Sequence, residues 1–417
     1  MKKVLIAVLF VSATSSLQAE NWPAWRGADG SGISQEKNLP LNWNATENVR
    51  WKVPLAEPCN GTPIIWGDRV FLTQGLDKGK RRAVIALARG SGEKLWQQEL
   101  RCEVEETTHP QNPPCSSSPV TDGKAVYAQL GSAGVVAYDM DGKRLWHRDL
   151  GPVLHRWGNG PSPVLYGDLL IVFHGPGTPA NLMALNKTSG ETVWTSKETA
   201  INSPIFGSWS TPLLLRGTRD ELIMPLPGDR IQGAGLFKSY DPATGKLLWK
   251  CDGLGNEVYA MPIRSPAGDM VVGISGHNGP TMAVRTGGSG DVTATHQLWR
   301  TEQKNPQRVS SGVIAGEHLY VANANGTLDC LEAGTGTLLW KGRLGGNLWG
   351  SMLLADGRIY LSNFDGDTFV VKAGEKFELL ATNSLAEPLY AAPAVSGGAI
   401  FLRTHKHLYC IGGAKGP

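Results

Sequence analysis

Residues 62–72 read TPIIWGDRVFL, which is a short apolar strand, a Gly-Asp turn and a second apolar strand. Glycine and aspartate suit this turn because they adopt its backbone conformations at low cost. The same arrangement occurs eight times, in segments that start at Thr62, Ser118, Ser162, Thr211, Met261, Ser311, Ser351 and Ala392. Self-similarity at a spacing of 40 to 56 residues is typical of a propeller or a solenoid.

A second hairpin follows these segments, and in six repeats its last strand ends in tryptophan. It is clearest in residues 184–194, ALNKTSGETVW, and 240–249, YDPATGKLLW, where glycine occupies the bulge position of the turn. The six terminal tryptophans are Trp96, Trp146, Trp194, Trp249, Trp299 and Trp340. One large flat side chain at a fixed place in each repeat predicts packing between neighbouring repeats rather than cofactor binding.

The last repeat is one strand short. Residues 399–402 and 408–411 supply two of its strands, and no apolar strand for its outer edge follows them. Residues 49–52, VRWK, repeat the register of residues 248–250, LWK, so the N-terminal strand is expected to complete the last blade. We therefore predict an all-β fold, an eight-bladed β-propeller of four-stranded antiparallel blades closed by the N-terminal strand.

The N-terminus has the three parts of a secretory signal: Lys2 and Lys3, an apolar run over residues 4–11, and a small-residue exit at Ala19. We expect a signal peptide over 1–19, an N-terminal extension over 20–47 and the propeller over 48–417. The apolar run is far shorter than the ~20 residues that span a bilayer. The prediction is a periplasmic or secreted protein without a membrane span, and a monomer.

Charge and cysteine content exclude several classes of protein. A net charge of +3 provides no extended surface for nucleic acid or anionic lipid. The six cysteines form no C-x-x-C pair, which argues against a metal site or a redox motif. In an oxidising compartment Cys102 and Cys115 could form one disulfide. Cys330 and Cys410 lie in apolar strand patterns, which predict buried thiols.

The pattern A-x-D/N-x-x-T-G-K/E-x-x-W, seen in residues 184–194 and 240–249, resembles the PQQ-like (pyrroloquinoline-quinone) repeat. The resemblance covers nearly all of the chain after the signal. Residues 22–27 (WPAWRG), 39–43 (LPLNW) and 109–112 (HPQN) look like exported PQQ-like propeller proteins of planctomycete-type bacteria. This resemblance implies the same eight-bladed ring that the repeats predict.

Two relatives of this family imply different functions. Quinoprotein dehydrogenases hold PQQ and Ca²⁺ at the axis with an aspartate base, and many have a disulfide between adjacent cysteines, which this chain lacks. The propeller lipoprotein of the outer-membrane assembly machine binds other proteins without a cofactor, but its lipid-anchor cysteine has no counterpart here. The resemblance therefore leaves both binding and oxidation open.

Candidate ligand-binding residues lie in the loops that lead to the channel mouth, where propellers carry function. Four aromatic residues stand three positions before the inner-strand proline or its equivalent: Trp209, Tyr259, Trp349 and Tyr390. They could stack a flat or sugar ligand, or they could seal adjacent blades. The polar candidates in the same loops are His109, His155, Arg156, Trp157, Asp229, Arg230, His277, Asn278, Arg308 and His405.

We predict first a non-catalytic, exported binding or scaffold propeller with a protein, small-molecule or glycan ligand and no cofactor or metal. The sequence contains no G-x-S-x-G or H-E-x-x-H motif. The alternative is a PQQ-dependent alcohol or sugar dehydrogenase, with Asp229 as base and Asn278 and Asn323 as oxygen ligands of Ca²⁺. A carbohydrate-binding or carbohydrate-processing propeller is the third interpretation.

Overall fold

Each repeat folds into two antiparallel hairpins that pair side by side as one four-stranded sheet. Eight such sheets succeed one another along the chain, which confirms the predicted eight-bladed propeller. The computed structural model describes residues 19–177, 180–198, 206–228, 235–302 and 307–413. No helix among these residues is long and apolar enough to cross a membrane.

The blades are numbered from the first complete repeat, and their strands are given from the axis outward. Blades 1 to 3 comprise Ile64–Trp66, Arg69–Leu76, Arg81–Ala88 and Lys94–Arg101; Val120–Thr121, Ala125–Gln129, Val135–Asp139 and Arg144–Arg148; and Val164–Tyr166, Leu169–His174, Ala180–Asn186 and Thr192–Glu198. Blades 4 to 6 comprise Leu213–Leu215, Glu221–Leu226, Gly235–Tyr240 and Leu247–Leu254; Ile263–Arg264, Met270–Ile274, Thr281–Arg285 and Gln297–Thr301; and Val313–Ala315, His318–Asn323, Thr327–Glu332 and Leu338–Arg343. Blades 7 and 8 comprise Leu353–Ala355, Arg358–Ser362, Asp367–Lys372 and Leu379–Ser384; and Ala394–Ser396, Ala399–Arg403, His407–Ile411 and Val49–Pro54.

A few short elements lie outside this scheme. Gly207–Ser208 pairs in parallel with Glu257–Val258. The outer hairpin of blade 5 contains a helix, Thr293–His296, and a strand, Gly290–Asp291, which pairs with the edge of blade 4. A 3₁₀ turn, Gly131–Ala133, joins the two hairpins of blade 2.

The N-terminal strand closes the ring as predicted. Val49–Pro54 is antiparallel to His407–Ile411, with Trp51 opposite Cys410 and Val53 opposite Leu408. Blade 8 therefore takes its outer strand from one end of the chain and its three inner strands from the other. A ring without this strand would leave apolar blade surface in water.

The repeated tryptophans connect neighbouring blades. The indole of Trp96 donates a hydrogen bond to the carbonyl of Met140 at 2.8 Å, and that of Trp146 to the carbonyl of Lys187 at 2.9 Å, each in the following blade. The turn glycine of the next blade lies against the ring: Gly142 has φ +88°, and a Cβ there would approach Trp96 to 2.8 Å. Trp194, Trp299 and Trp340 likewise donate to carbonyl groups of the following blade, whereas Trp249 donates to Glu221 Oε2 of its own blade.

Residues 20–47 cross the lower face of the ring, which carries the turns that leave each inner strand. Trp22 exchanges backbone hydrogen bonds with Ile65 of blade 1 at 2.9 and 2.8 Å. Further along, Ile33–Ser34 adds a parallel strand to the inner edge of blade 7. Trp43 then packs against Tyr360, with ring centroids 6.5 Å apart. This segment is therefore part of the packed ring.

Arg26 fixes the segment between blades 6 and 7. Its side chain is buried, and its N–H groups donate to five carbonyl oxygens. The acceptors are Gly30 at 3.2 Å, Ser31 at 2.6 Å, Ser311 at 3.2 Å, Gly312 at 2.6 Å and Met352 at 3.3 Å. Because buried carbonyl groups need donors, one side chain here serves the segment and two blades together.

All six cysteines are buried, and none of them forms a disulfide in the structure. Cys102 lies 3.8 Å from the guanidinium of Arg82, measured from Sγ to Nη2. Burial raises the pKa of Cys102, and it raises the pKa of Cys115 to about 12. The Cys102–Cys115 disulfide stays a prediction.

Candidate functional site

A ring of hydroxyl groups surrounds the axis, each on the residue two positions before the first residue of an inner strand. In each case the hydroxyl oxygen accepts a hydrogen bond from the backbone N–H of the equivalent residue in the preceding blade. The donor and acceptor pairs are Ala392 and Thr62, Thr62 and Ser118, Ser118 and Ser162, Ser162 and Thr211, Met261 and Ser311, and Ser311 and Ser351, at 2.9 to 3.2 Å. Met261 and Ala392 carry no hydroxyl, so the ring has two breaks.

An axial cavity of about 130 Å³ opens among these hydroxyls and the loops of the upper face, which lead into the inner strands. Trp25 of the N-terminal segment lies at its base. The other lining residues are Asn60, Thr62, Asn112, Ser116, Ser118, Gly160, Ser162, Trp209, Thr211, Tyr259, Val309, Trp349, Ser351, Tyr390 and Ala392. Every described residue in this lining is uncharged.

All four predicted aromatic residues line this cavity. Trp209 and Tyr259 pack together with ring centroids 5.1 Å apart. Across the mouth, Trp349 and Tyr390 are 6.3 Å apart, and Phe364 packs against both at 4.7 and 4.1 Å. Trp209 is 9% exposed, whereas the other three predicted aromatics are only partly buried. The sequence indicated these residues but did not indicate Phe364, which lies in the loop between the hairpins of blade 7.

The polar atoms of these aromatic residues differ in what they bind. The Trp209 indole donates to the carbonyl of Gly158 at 3.0 Å, and the Tyr259 hydroxyl donates to Glu257 Oε2 at 2.7 Å. Burial raises the pKa of Tyr259 and of Tyr390, which keeps both phenols protonated. The Trp349 Nε1–H is buried and has no acceptor among the described residues.

The predicted residues of blades 2 and 3 come together beside the mouth. The rings of His109 and Trp157 are 4.2 Å apart, and the Arg156 guanidinium lies 5.3 Å from the Trp157 ring centroid. His155 contacts Trp209 edge to face at 5.1 Å. Burial, and then the charge of Arg156, lowers the pKa of His109. This imidazole is therefore neutral at neutral pH.

The loops that carry these residues are tied together by one amide. Asn112 Nδ2 donates to the carbonyls of Trp157 at 2.5 Å and Asn159 at 3.1 Å. The loop between blades 1 and 2 is thereby fixed to the loop between blades 2 and 3. Asn112 was part of a family motif in the sequence, but its positioning role was visible only in the structure.

His405 lies in the loop between the two hairpins of blade 8. Its ring contacts Tyr390 edge to face at 4.5 Å, and its Nε2 is 3.4 Å from Asn60 Oδ1. Burial lowers the pKa of His405 to about 4, and the charge of Arg403 acts in the same direction. The imidazole is therefore neutral over the physiological range.

Other predicted residues lie elsewhere. Arg308, placed at the mouth by the sequence interpretation, is buried between blades 5 and 6, where its guanidinium binds Asn323 Oδ1 at 2.7 Å, Thr281 Oγ1 at 2.8 Å and Asp329 Oδ2 at 2.9 Å. Its charge is paired within the core.

His277 and Asn278 are exposed in a turn of blade 5 and are not part of the cavity lining. Asp229 and Arg230 lie outside the described residues.

The oxygen ligands predicted for Ca²⁺ are not brought together. The Asn323 side chain accepts from Arg308 and donates through Nδ2 to Thr327 Oγ1 at 2.9 Å, so it is engaged in the core. Asn278 lies on the surface. Over the described ranges, no group of three or more His, Cys, Asp or Glu side chains could hold a metal ion.

A family profile described as outer membrane protein assembly factor BamB matches residues 33–152, 131–296 and 233–380. Quinoprotein alcohol dehydrogenase PedH of Pseudomonas putida is 33% identical over 114 residues, which are 26% of this chain and 18% of that protein. The match thus spans less than a fifth of that relative's length.

Several solved structures have the same fold. A europium-containing methanol dehydrogenase superposes with a TM-score of 0.70 at 11% identity, covering 92% of this chain and 89% of that one. BamB from Moraxella catarrhalis gives 0.63 at 13% identity over 88% and 98%. Quinohemoprotein alcohol dehydrogenase from Comamonas testosteroni gives 0.70 at 11% identity over 95% and 81%. At these identities the likeness shows the fold alone.

Proposed function

Because this chain belongs to the PQQ-repeat family described as outer membrane protein assembly factor BamB, we propose that it is an exported binding or scaffold propeller. Its upper face binds a ligand or partner at the axis and carries out no reaction. The observation that carries this proposal is the chemistry of the axial cavity, whose described lining consists of aromatic, hydroxyl, amide and small apolar residues without a charge. The leader-like residues 1–19 support export.

The cavity lining suits recognition more than catalysis. General acid–base catalysis needs a titratable side chain within hydrogen-bond reach of the reacting group, and the described lining offers only phenols held protonated. By contrast, the partly buried aromatic faces that line the cavity are groups that orient a bound ligand. A ligand with a flat or apolar face would pack against them.

The described lining does not fit PQQ. This cofactor is a flat polyanionic quinone that acts with a divalent cation at its reactive carbonyl. Such a pair needs carboxylate ligands for the cation and basic groups for the quinone's carboxylates, whereas the described lining is uncharged. The cavity of about 130 Å³ is also below the ~300 Å³ at which pockets for drug-sized ligands begin.

A thermal-shift and turnover experiment separates binding from oxidation. The purified protein is heated with PQQ and Ca²⁺, and dye reduction is followed with alcohols and aldoses as substrates. We expect an unchanged melting temperature and no turnover, because a ligand that binds only the folded state must raise its apparent stability. Steady turnover would overturn the proposal in favour of the dehydrogenase.

Ligand binding is tested with a panel of aromatic-ended peptides and neutral oligosaccharides, followed by calorimetry. Trp349→Ala and Tyr390→Ala should each weaken the binding of any hit at least tenfold. Leu95→Ala is the matched control, since Leu95 is exposed on the outer strand of blade 1, away from the axis. Equal affinities in all three variants would show that the ligand does not use the axial mouth.

A further inference from the structure

On the lower face, the carboxylate of Glu36 occupies a recess between blades 8 and 1. It accepts hydrogen bonds from the backbone N–H groups of Gly397 at 2.6 Å and Gly398 at 2.9 Å, which form a turn of blade 8. It also accepts one from the backbone N–H of Glu20 at 3.0 Å. Glu36 therefore joins the start of the N-terminal segment to the last blade.

Glu20 is held by its side chain as well. Its carboxylate accepts hydrogen bonds from the backbone N–H of Gln35 at 3.1 Å and from the hydroxyl of Ser34. The backbone N–H of Glu20 and its side-chain carboxylate are thus both bound by residues 34–36. Glu20 is also the first residue after Ala19, where the sequence predicts that the signal peptide is cleaved.

We propose that Glu36 is the receptor for the α-amino group that cleavage after Ala19 creates. An endopeptidase adds water across the Ala19–Glu20 peptide bond; the carbonyl carbon of Ala19 leaves as a carboxylate, and the nitrogen of Glu20 becomes an ammonium group. The neutral N–H that now donates to Glu36 is thereby replaced by a cation at the same position. This inference goes beyond the binding role proposed above and rests only on the export of the chain, which that proposal includes.

The exchange strengthens the contact because it adds the Coulomb attraction between an ammonium group and a carboxylate to a hydrogen bond whose acceptor is already charged. Other charged groups line the same recess: Glu20 itself, Lys37, Arg50, Asp68 and Arg89. Arg50 and Arg89 are directed to blade 8, where they donate to Gly397 O at 3.5 Å and Ser396 Oγ at 2.8 Å. The cations lower the pKa of the α-amino group, but the Glu36 carboxylate is in direct contact with it and dominates.

The consequence is that cleavage stabilises the lower face. The segment anchored at Glu20 carries Trp25 to the base of the axial cavity and Arg26 to the crevice between blades 6 and 7. An α-amino group paired with Glu36 has a raised pKa, so its stabilisation is complete below the ordinary value of ~7.7–8.0. It is lost as the pH rises through the raised value.

The test uses the exported, processed protein. Mass spectrometry should place its first residue at Glu20, and reductive ¹³C-methylation followed by NMR titration measures the pKa of its α-amino group. We expect a value above 8 by about half a unit or more, returning to the ordinary range in Glu36→Gln. Glu47→Gln is the matched control, since Glu47 lies in the same segment and is bound to Asn44 rather than to the amine.

A second variant of the protein leaves Glu36 unchanged and moves the α-amino group along the chain. In a chain that retains Ala19 as its first residue, the amine is displaced by one residue, and its pKa should be ordinary. Three results would each overturn the proposal: a mature chain that begins elsewhere, an ordinary pKa in the processed protein, or a raised pKa that Glu36→Gln leaves unchanged.

Discussion

Arginine is used in two ways inside this molecule. Arg308 is buried beside Asp329, so its charge is compensated by a carboxylate. Arg26 is buried among carbonyl oxygens, and all five of its hydrogen bonds are made to backbone groups. The planar guanidinium can serve so many acceptors because its donors are arranged in a rigid fork.

Arg26→Lys should lower the free energy of unfolding by about 3 kcal/mol, because an ammonium has three donors and cannot reach acceptors on two blades and the segment together. Urea unfolding followed by tryptophan fluorescence measures this. Arg156→Lys serves as the control, since Arg156 is exposed, and should change stability by less than about 0.5 kcal/mol. A loss below about 1 kcal/mol in Arg26→Lys would show that the carbonyls find other donors.

His405 makes stability depend on acid. Its pKa is lowered to about 4 in the folded protein, whereas the unfolded chain takes up the proton near pH 6.5. Between these values the unfolded state binds more protons, so stability falls as the pH drops from 6.5 toward 4. His405→Asn should reduce this loss by about 2 kcal/mol at pH 4.5.

Urea unfolding at pH 7 and pH 4.5 checks the acid effect. His277→Asn is the matched control because His277 is exposed, and it should behave as the parent protein does. If His405→Asn loses as much stability as the parent over this range, the imidazole is protonated in the folded state and its environment differs from that described.

Neighbouring blades are joined by one kind of group at their inner strands and by another kind at their outer strands. Tryptophan indoles join them at the outer strand, and hydroxyls join them at the inner strand. The sequence showed both sets as repeated positions. It identified the tryptophans because a large side chain at a fixed place has an evident packing role, whereas serine and threonine before a strand are also common turn residues.

Thr211→Val keeps the shape of the side chain and removes the acceptor for the Ser162 N–H, which is 2.9 Å away and buried. We expect a loss of about 1–2 kcal/mol in the free energy of unfolding. Ala392→Ser is the complementary change, since it adds a hydroxyl at a break in the ring, and should be neutral or stabilising. Thermal unfolding of the two variants decides; equal losses in both would show that the hydroxyl ring contributes nothing.

The cysteines of the loop between blades 1 and 2 should react slowly. Burial raises the pKa of Cys115 to about 12, and the thiolate is the reactive form. In native buffer at pH 8 we expect both thiols to react at least about 100-fold more slowly with a disulfide reagent than free cysteine does. Titration in urea then counts the free thiols: four, with Cys102 and Cys115 in one peptide pair, would establish the predicted disulfide, and six would refute it.

Local sequence patterns predicted the blades of this protein but did not predict the contacts between distant parts of the chain. Turn glycines and alternating apolar residues act within one hairpin, so the eight repeats and the register of the closing strand could be read from the sequence. The path of residues 20–47 could not, because Arg26 reaches Met352 without any periodic pattern. Arg308 was misplaced for the same reason: its partners Thr281 and Asp329 belong to two different blades.

Removing residues 48–55 should destabilise the entire ring. Blade 8 would lose its outer strand, and the apolar surfaces of two blades would meet water. Trp51→Ala, a milder change, should cost about 3–4 kcal/mol because Trp51 is 9% exposed and its indole donates to the carbonyl of Arg89. Thermal unfolding and light scattering report both effects. A deletion variant that stays monomeric with an unchanged melting temperature would refute the closing role of this strand.

The pairing of Trp51 with Cys410 also sets the order of events during folding. The strand that finishes blade 8 is synthesised first, yet its partner strand is synthesised last, so the sheet cannot close until almost the whole chain is available. Such a distant contact is slow to form because a very long loop must be closed. A chain built this way remains open while it is being made, and it becomes a ring only after its last strand has been synthesised.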